Sequence, residues 1–157
     1  MKKILCLILV IVLGLSFSGC VESKEEPVVM YGIDRQAELK DLKIVATEIK
    51  AEHSFSSLLG TGNGNIFVII KFEIKNISSS SLYISRSDFE AYCDDVKVKY
   101  SWNSLSDYDR FESGFVEPDR KFVGYYSIEV PYDWEKIEIT YKKGITSKNT
   151  ATFIFTS

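Results

Sequence analysis

The chain has 157 residues, of which 45% are hydrophobic and 13% aromatic, and its formal net charge is −3. That length suits one domain plus a targeting segment, and the apolar content excludes a wholly disordered chain. A mildly acidic balance gives no electrostatic reason to bind nucleic acid, or an anionic bilayer by charge alone.

The first segment reads as an address. Met1-Lys2-Lys3 is basic, Ile4 to Leu15 is apolar except for Gly14, and Ser16-Phe17-Ser18-Gly19 leads to Cys20. A basic start, an apolar run of about a dozen residues and small residues at the end define a secretory signal. The run is shorter than the roughly 20 residues a bilayer-spanning helix needs. Phe17-Ser18-Gly19-Cys20 resembles the lipobox of bacterial-type lipoproteins, with Ser18 and Gly19 at the small positions and Phe17 where Leu is usual. The resemblance implies that residues 1–19 are a signal peptide and that the Cys20 thiol carries a diacylglyceryl group. Two acyl chains suffice for stable anchoring. A plain signal peptide or an uncleaved anchor also fits, and in each case the C-terminal body faces outward. Loss of Lys2 and Lys3 without any acid takes the net charge from −3 to about −5.

Residues 20–39 read as a stalk. Glu22-Ser23-Lys24-Glu25-Glu26-Pro27 is too polar to order itself. Val28-Val29-Met30-Tyr31 fits a docked patch or an edge strand.

From Lys40 the dominant period is two. Leu42, Ile44, Ala46 and Ile49 mark a first strand. Ile66, Val68, Ile70, Phe72 and Ile74 point one way while Lys71, Glu73 and Lys75 point the other. Phe67 and Ile69 make the start of that strand apolar on both faces, as in a central strand or an interface. Leu82 and Ile84, then Phe89, Ala91 and Cys93, then Val96, Val98 and Tyr100 continue the pattern. Phe122 to Val130, Ile137 to Tyr141 and Ala151 to Phe155 complete it. Turn residues separate the runs: Gly60 to Asn65, Asn76 to Ser81, Asp94-Asp95, Glu117-Pro118-Asp119 and Pro131-Tyr132-Asp133. The pattern predicts an all-β, immunoglobulin-like antiparallel sandwich of six to eight strands over residues 40–157.

Ile66 to Asn76, Asp88-Phe89, Glu117-Pro118 to Gly124 and Tyr126 to Pro131 resemble the immunoglobulin-like, telokin-like domain of unknown function found in bacterial and archaeal lipoproteins. Asp119 stands where Gly is usual in that pattern. The resemblance implies an exported, membrane-tethered interaction module and transfers no catalytic residues.

Chemistry-bearing residues are few. His53 is the one histidine, and nothing in its spacing pairs it with a nucleophile. Cys6 leaves with the signal, so Cys93 is left without a disulfide partner in the body. Its neighbours Asp94 and Asp95 disfavour a thiolate, and its place in the alternation suggests a small buried hydrophobe. Asp107-Tyr108-Asp109 has a spacing a calcium loop uses, without the Gly and Glu of an EF-hand. Gly60-x-Gly62-x-Gly64 lacks the Lys-Ser/Thr of a phosphate loop. Asn76-Ile77-Ser78 fits a glycosylation sequon.

The stretch Tyr100 to Phe115 mixes aromatics with Ser, Asp and Arg, the composition of binding surfaces. Trp102, Tyr108, Arg110 and Phe111 are its candidate partner-binding residues. In the competing reading, Tyr100 and Phe115 belong to the core. The expectation is a membrane-anchored, extracytoplasmic, non-catalytic binding module. It has no cofactor and no metal, with Asp107 and Asp109 as a weak calcium candidate. The membrane is engaged through lipid on Cys20, and the partner is an envelope protein or glycan. Alternatives are a hydrolase or its accessory subunit using the acids and aromatics of residues 94–119, or a calcium-dependent sensor.

Overall fold

The structure is a computed structural model that describes residues 30–52, 64–101, 108–143 and 150–157. Among these residues the strands are β1 (Met30–Tyr31), β2 (Gln36–Glu38), β3 (Leu42–Glu52), β4 (Asn65–Asn76), β5 (Leu82–Ile84), β6 (Phe89–Cys93), β7 (Val96–Val98), β8 (Gly114–Val116), β9 (Lys121–Pro131), β10 (Lys136–Lys142) and β11 (Thr150–Thr156). One 3₁₀ turn, Arg86–Asp88, joins β5 to β6.

The long strands form because β-branched and aromatic residues alternate with polar ones, which suits a pleated, half-buried surface. They assemble into a five-stranded sheet, β1-β11-β10-β6-β7, a four-stranded sheet, β2-β3-β4-β9, and a small β5-β8 ribbon. All strand pairs are antiparallel except β1 with β11. The two larger sheets close on one core, with Ile44, Val68, Ile70, Phe72, Ile74 and Ile128 from one side and Ala91, Ile137, Ile139, Tyr141 and Phe153 from the other. Phe72 spans the gap, its ring centroid 5.2 Å from Phe89 and 5.3 Å from Phe153. The protein is therefore an all-β sandwich, as the alternation predicts.

The strand count exceeds six to eight because β1, β2 and β8 are two or three residues long, too short to show alternation. Two of them alter the domain boundary. β1 and β2 lie inside the stretch expected to be stalk, yet Ala37 is fully buried and Tyr31 packs on Phe153 at 5.6 Å. The ordered body thus begins by Met30. In β3 the inward series Leu42, Ile44, Ala46 slips register between Ala46 and Glu48. That bulge returns Ile49 to the core and accounts for the odd spacing in the sequence.

Asn76 ends β4 and is only 1% exposed. Its amide Nδ2 donates to Ser80 O and Val116 O, both at 2.8 Å. Its Oδ1 accepts from the backbone N and the Oγ of Ser78, both at 2.8 Å. Its own backbone N donates to Arg120 O at 3.0 Å and its O accepts from Asp119 N at 3.1 Å. One side chain thus closes the Ser78–Ser81 loop, holds β8 and docks the turn that starts β9. That turn has Arg120 N donating to Glu117 O at 3.1 Å, Pro118 second and Asp119 third with φ 59°, the pattern of a type II turn. Asp tolerates this left-handed conformation better than most residues, so it stands where glycine is usual.

Asn76→Ala removes the donor to the buried Val116 carbonyl and the acceptor of the Ser78 amide, while Ser80 O keeps Ser78 Oγ. Each buried group left unsatisfied costs about 1–3 kcal/mol, so a loss of about 3 kcal/mol in unfolding free energy is expected in urea titrations. An unchanged midpoint would refute this role. The same geometry makes the sequon at Asn76 inaccessible in the folded protein, since both amide hydrogens are engaged.

Candidate binding surface

The sequence makes the first half of β4 apolar on both faces, and the structure shows what covers the outer one. Phe67 and Ile69, 2% and 1% exposed, point away from the main core into a second cluster with Tyr100, Tyr108 and Tyr125. The cover comes from the chain crossing between sheets. Tyr100 bridges Ile128, and Ser101 N donates to Ser127 O at 2.8 Å. The chain comes back to the same edge of β9, where Tyr125 N donates to Asp109 O at 3.0 Å and Phe111 N to Tyr125 O at 3.1 Å. Gly124 permits this approach: a Cβ there would lie 2.9 Å from Phe111 Cα.

Polar groups pin the same surface. The Tyr108 hydroxyl donates to Glu52, which raises its pKa. The Tyr108 ring lies 4.8 Å from Tyr125, with the Lys50 ammonium 5.5 Å from its centroid. Tyr125 OH donates to Glu48 at 3.2 Å, and Lys50 pairs with Glu48 at 2.7 Å. Lys50 is the chief cause of the lowered Glu48 pKa. A shallow cleft of about 340 Å³ adjoins this surface, lined by Asn65, Val98, Lys99, Tyr100, Ser101 and Glu129.

The candidate residues do not form one surface. Trp102 and Asp107 lie outside the described residues, as do Cys20 and His53. Tyr108 is half-buried and Arg110 exposed. Phe111 is a correction: it is 1% exposed, stacked at 5.0 Å on Phe89 and 4.7 Å on Phe122. Its ring belongs to the core because the close passage at Gly124 drives it inward. Phe115, which the competing reading placed in the core, is 73% exposed. Tyr100 is half-buried, with the Arg86 guanidinium 4.5 Å from its ring centroid.

Four described acids of residues 94–119, Asp94, Asp95, Glu117 and Asp119, are dispersed into separate contacts. Asp94 and Asp95 make the β6–β7 hairpin turn, with φ 47° and 67°. The Asp94 carboxylate accepts from Lys136 N at 2.7 Å and Glu135 N at 3.2 Å, and those bonds hold its pKa low. Asp95 pairs with Lys136 at 3.0 Å. Glu117 accepts from Ser81, and Asp119 lies 3.9 Å from Lys75. Asp109 is exposed. Among the described residues no group of three His, Cys, Asp or Glu is placed to hold a metal ion. Cys93 is 3% exposed, and burial followed by the Asp94 charge pushes its thiol up to about 11.

Among the described residues the most exposed aromatics lie elsewhere: Tyr132, 66% exposed just after β9, and a pair on the β5-β8 ribbon. Tyr83 and Phe115 are cross-strand partners on the β5-β8 ribbon, their centroids 5.0 Å apart and their exposures 48% and 73%. Alternation in Leu82-Tyr83-Ile84 already places Tyr83 outward. Nothing in three residues of β8 distinguishes Phe115 from a core phenylalanine.

Comparison with known proteins places this geometry. Residues 31–152 match the family described as DUF4352, a domain of unknown function. Among solved structures, the "putative lipoprotein (ycdA)" of Bacillus subtilis shares 13% identity at a TM-score of 0.65, over 77% of this chain and 38% of that one. The yjhA protein of Bacillus subtilis shares 12% identity at 0.63, over 79% and 98%. The secreted protein MPT63 of Mycobacterium tuberculosis shares 12% at 0.59, over 83% and 98%. At these identities the likeness is one of fold. No curated protein matches the chain.

Two outcomes follow from the site geometry. Gly124→Ala is expected to push the 109–111 passage off β9 and lower stability by about 1–3 kcal/mol, the range for overpacking. Amide exchange at Phe111 and Tyr125 is then faster, and unchanged exchange would contradict the close approach. Cys93 holds its proton to higher pH folded than unfolded, so stability is full below about pH 9, the ordinary thiol value, and falls toward pH 11. Cys93→Ala removes this component of the alkaline loss, readable as a shallower decline in melting temperature over that window.

Proposed function

We propose, from the premise that the chain belongs to the DUF4352 family of domains of unknown function, that it is a lipid-anchored, extracytoplasmic binding module. The observation that carries the reading is the N-terminal pattern: Lys2-Lys3, the apolar run Ile4 to Leu15, and Ser18-Gly19 before Cys20. Ten residues, Cys20 to Val29, join that pattern to a sandwich whose first strand starts at Met30. The ycdA protein, described as a "putative lipoprotein" and similar in fold, is in keeping with this reading. No helix of the described residues is long and apolar enough to cross a membrane.

A non-catalytic role is supported by how the polar groups are spent. The acids of the 94–119 region stabilise turns and lysines, and Cys93 is a buried neutral thiol. The surfaces offered for recognition are the Tyr108–Arg110 passage with its neighbouring cleft and the Tyr83–Phe115 ribbon. The partner class is an envelope protein or glycan.

Fractionation tests the anchor. The native chain is expected in the membrane fraction with a diacylglyceryl Cys20 as its first residue by mass spectrometry, and Cys20→Ser in the soluble extracytoplasmic fraction. Cleavage elsewhere, or an unmodified Cys20, would refute the anchored reading.

A further inference from the structure

The strand registers place the entry of the tether and the exposed aromatic ribbon at the same end of the sandwich. β1 runs parallel to β11, Met30 beside Thr152 and Tyr31 beside Phe153, so the N-terminal end of β1 lies toward Thr150. Thr150 pairs with Lys142, and Tyr141 with Phe89 at the start of β6. The 3₁₀ turn immediately before Phe89 follows β5. Lys143, next after β10, donates from Nζ to Tyr83 O at 3.2 Å. The opposing sheet agrees, because Asn76, at the end of β4, holds Val116 of β8.

Resting on the lipid-anchored reading, we propose that Tyr83 and Phe115 dock this end of the domain onto the bilayer surface. The ten residues from Cys20 to Val29 reach at most about 35 Å when fully extended, which keeps this end within reach of the membrane. Paired aromatic rings suit the interface, where an apolar body sits among acyl chains and polar groups stay wet. The lysine row beside this end, Lys43, Lys75 and Lys121 in register across three strands, is matched by Glu38 at 2.9 Å, Asp119 at 3.9 Å and Glu73 at 3.0 Å. With charges balanced there, docking depends on apolar partition and is expected to be insensitive to anionic lipid.

The test uses the full lipidated chain carrying Phe115→Trp, reconstituted in phosphatidylcholine vesicles with doxyl-labelled lipid, with the parent chain correcting for Trp102 and Trp134. The introduced indole is expected to shift to the blue and lose most of its emission to the doxyl groups. The double variant Tyr83→Ser, Phe115→Ser is expected to lose vesicle-induced protection of β5 and β8 amides while floating normally. A floating, lipidated protein whose introduced indole stays exposed overturns the docking and leaves the anchor intact. An indole shielded equally without vesicles, with cross-linked dimers, overturns docking in favour of a second copy. A chain that neither floats nor carries lipid overturns the anchor, and the docking falls with it.

Discussion

The architecture depends most on the buried amide of Asn76. A β-sandwich must terminate its strands without leaving peptide groups unpaired, since each buried orphan is costly. Here β4, the central strand of its sheet, ends where the chain leaves for the ribbon. The Asn76 amide supplies two donors and two acceptor sites in one fixed plane. It uses all four on Ser78, Ser80 and Val116. A hydrophobic residue there would take the side-chain partner from the Val116 carbonyl and the Ser78 amide, and a carboxylate would face two carbonyl oxygens. The ribbon, the turn before β9 and the last residue of β4 thus share one support.

The other residues of the family-like pattern serve similar ends. Asp88 accepts from Ser85 N at 2.9 Å, while Ser85 accepts from Ser87 N, so the 3₁₀ turn is capped at the point where the chain enters β6. Pro118 and Asp119 form the turn into β9, and Gly124 admits the Phe111 backbone. These positions make turns and close approaches. A sequence signature built from them identifies the fold and is silent about the partner.

Period-two alternation made the long strands readable, and with them the core: Ile66 to Ile74, Ile137 to Tyr141 and Ala151 to Phe155 behave as the pattern requires. The pattern fails where strands shorten. Val96 alternates correctly yet is 67% exposed, because β7 is an edge strand of three residues next to a hairpin turn. Phe111 and Phe115 exchange their expected places for a reason no local pattern carries. Their fates are set by tertiary neighbours, Gly124 for one and Tyr83 for the other. The acids of residues 94–119 looked gathered in sequence, but hairpin and turn geometry sends Asp94, Asp95, Glu117 and Asp119 to separate backbone, serine and lysine partners.

The doubly apolar start of β4 carries the last step. An exposed Phe67 and Ile69 beside the open edge of β9 would be a site for strand addition and aggregation. The chain closes that surface with its own residues: Tyr100 and Ser101 on one part of the β9 edge, Asp109 to Phe111 on another, and the tyrosines over the face. A surface covered this way is stabilising first, and aromatic exposure is confined to what projects beyond it. Among the described residues, Tyr132 and the ribbon with Tyr83 and Phe115 project in this way, the ribbon at the end where β1 begins. Covering the doubly apolar start of β4 therefore leaves the aromatic pair at the end where β1 begins as a separate feature, supported through Asn76 and not by the covered face.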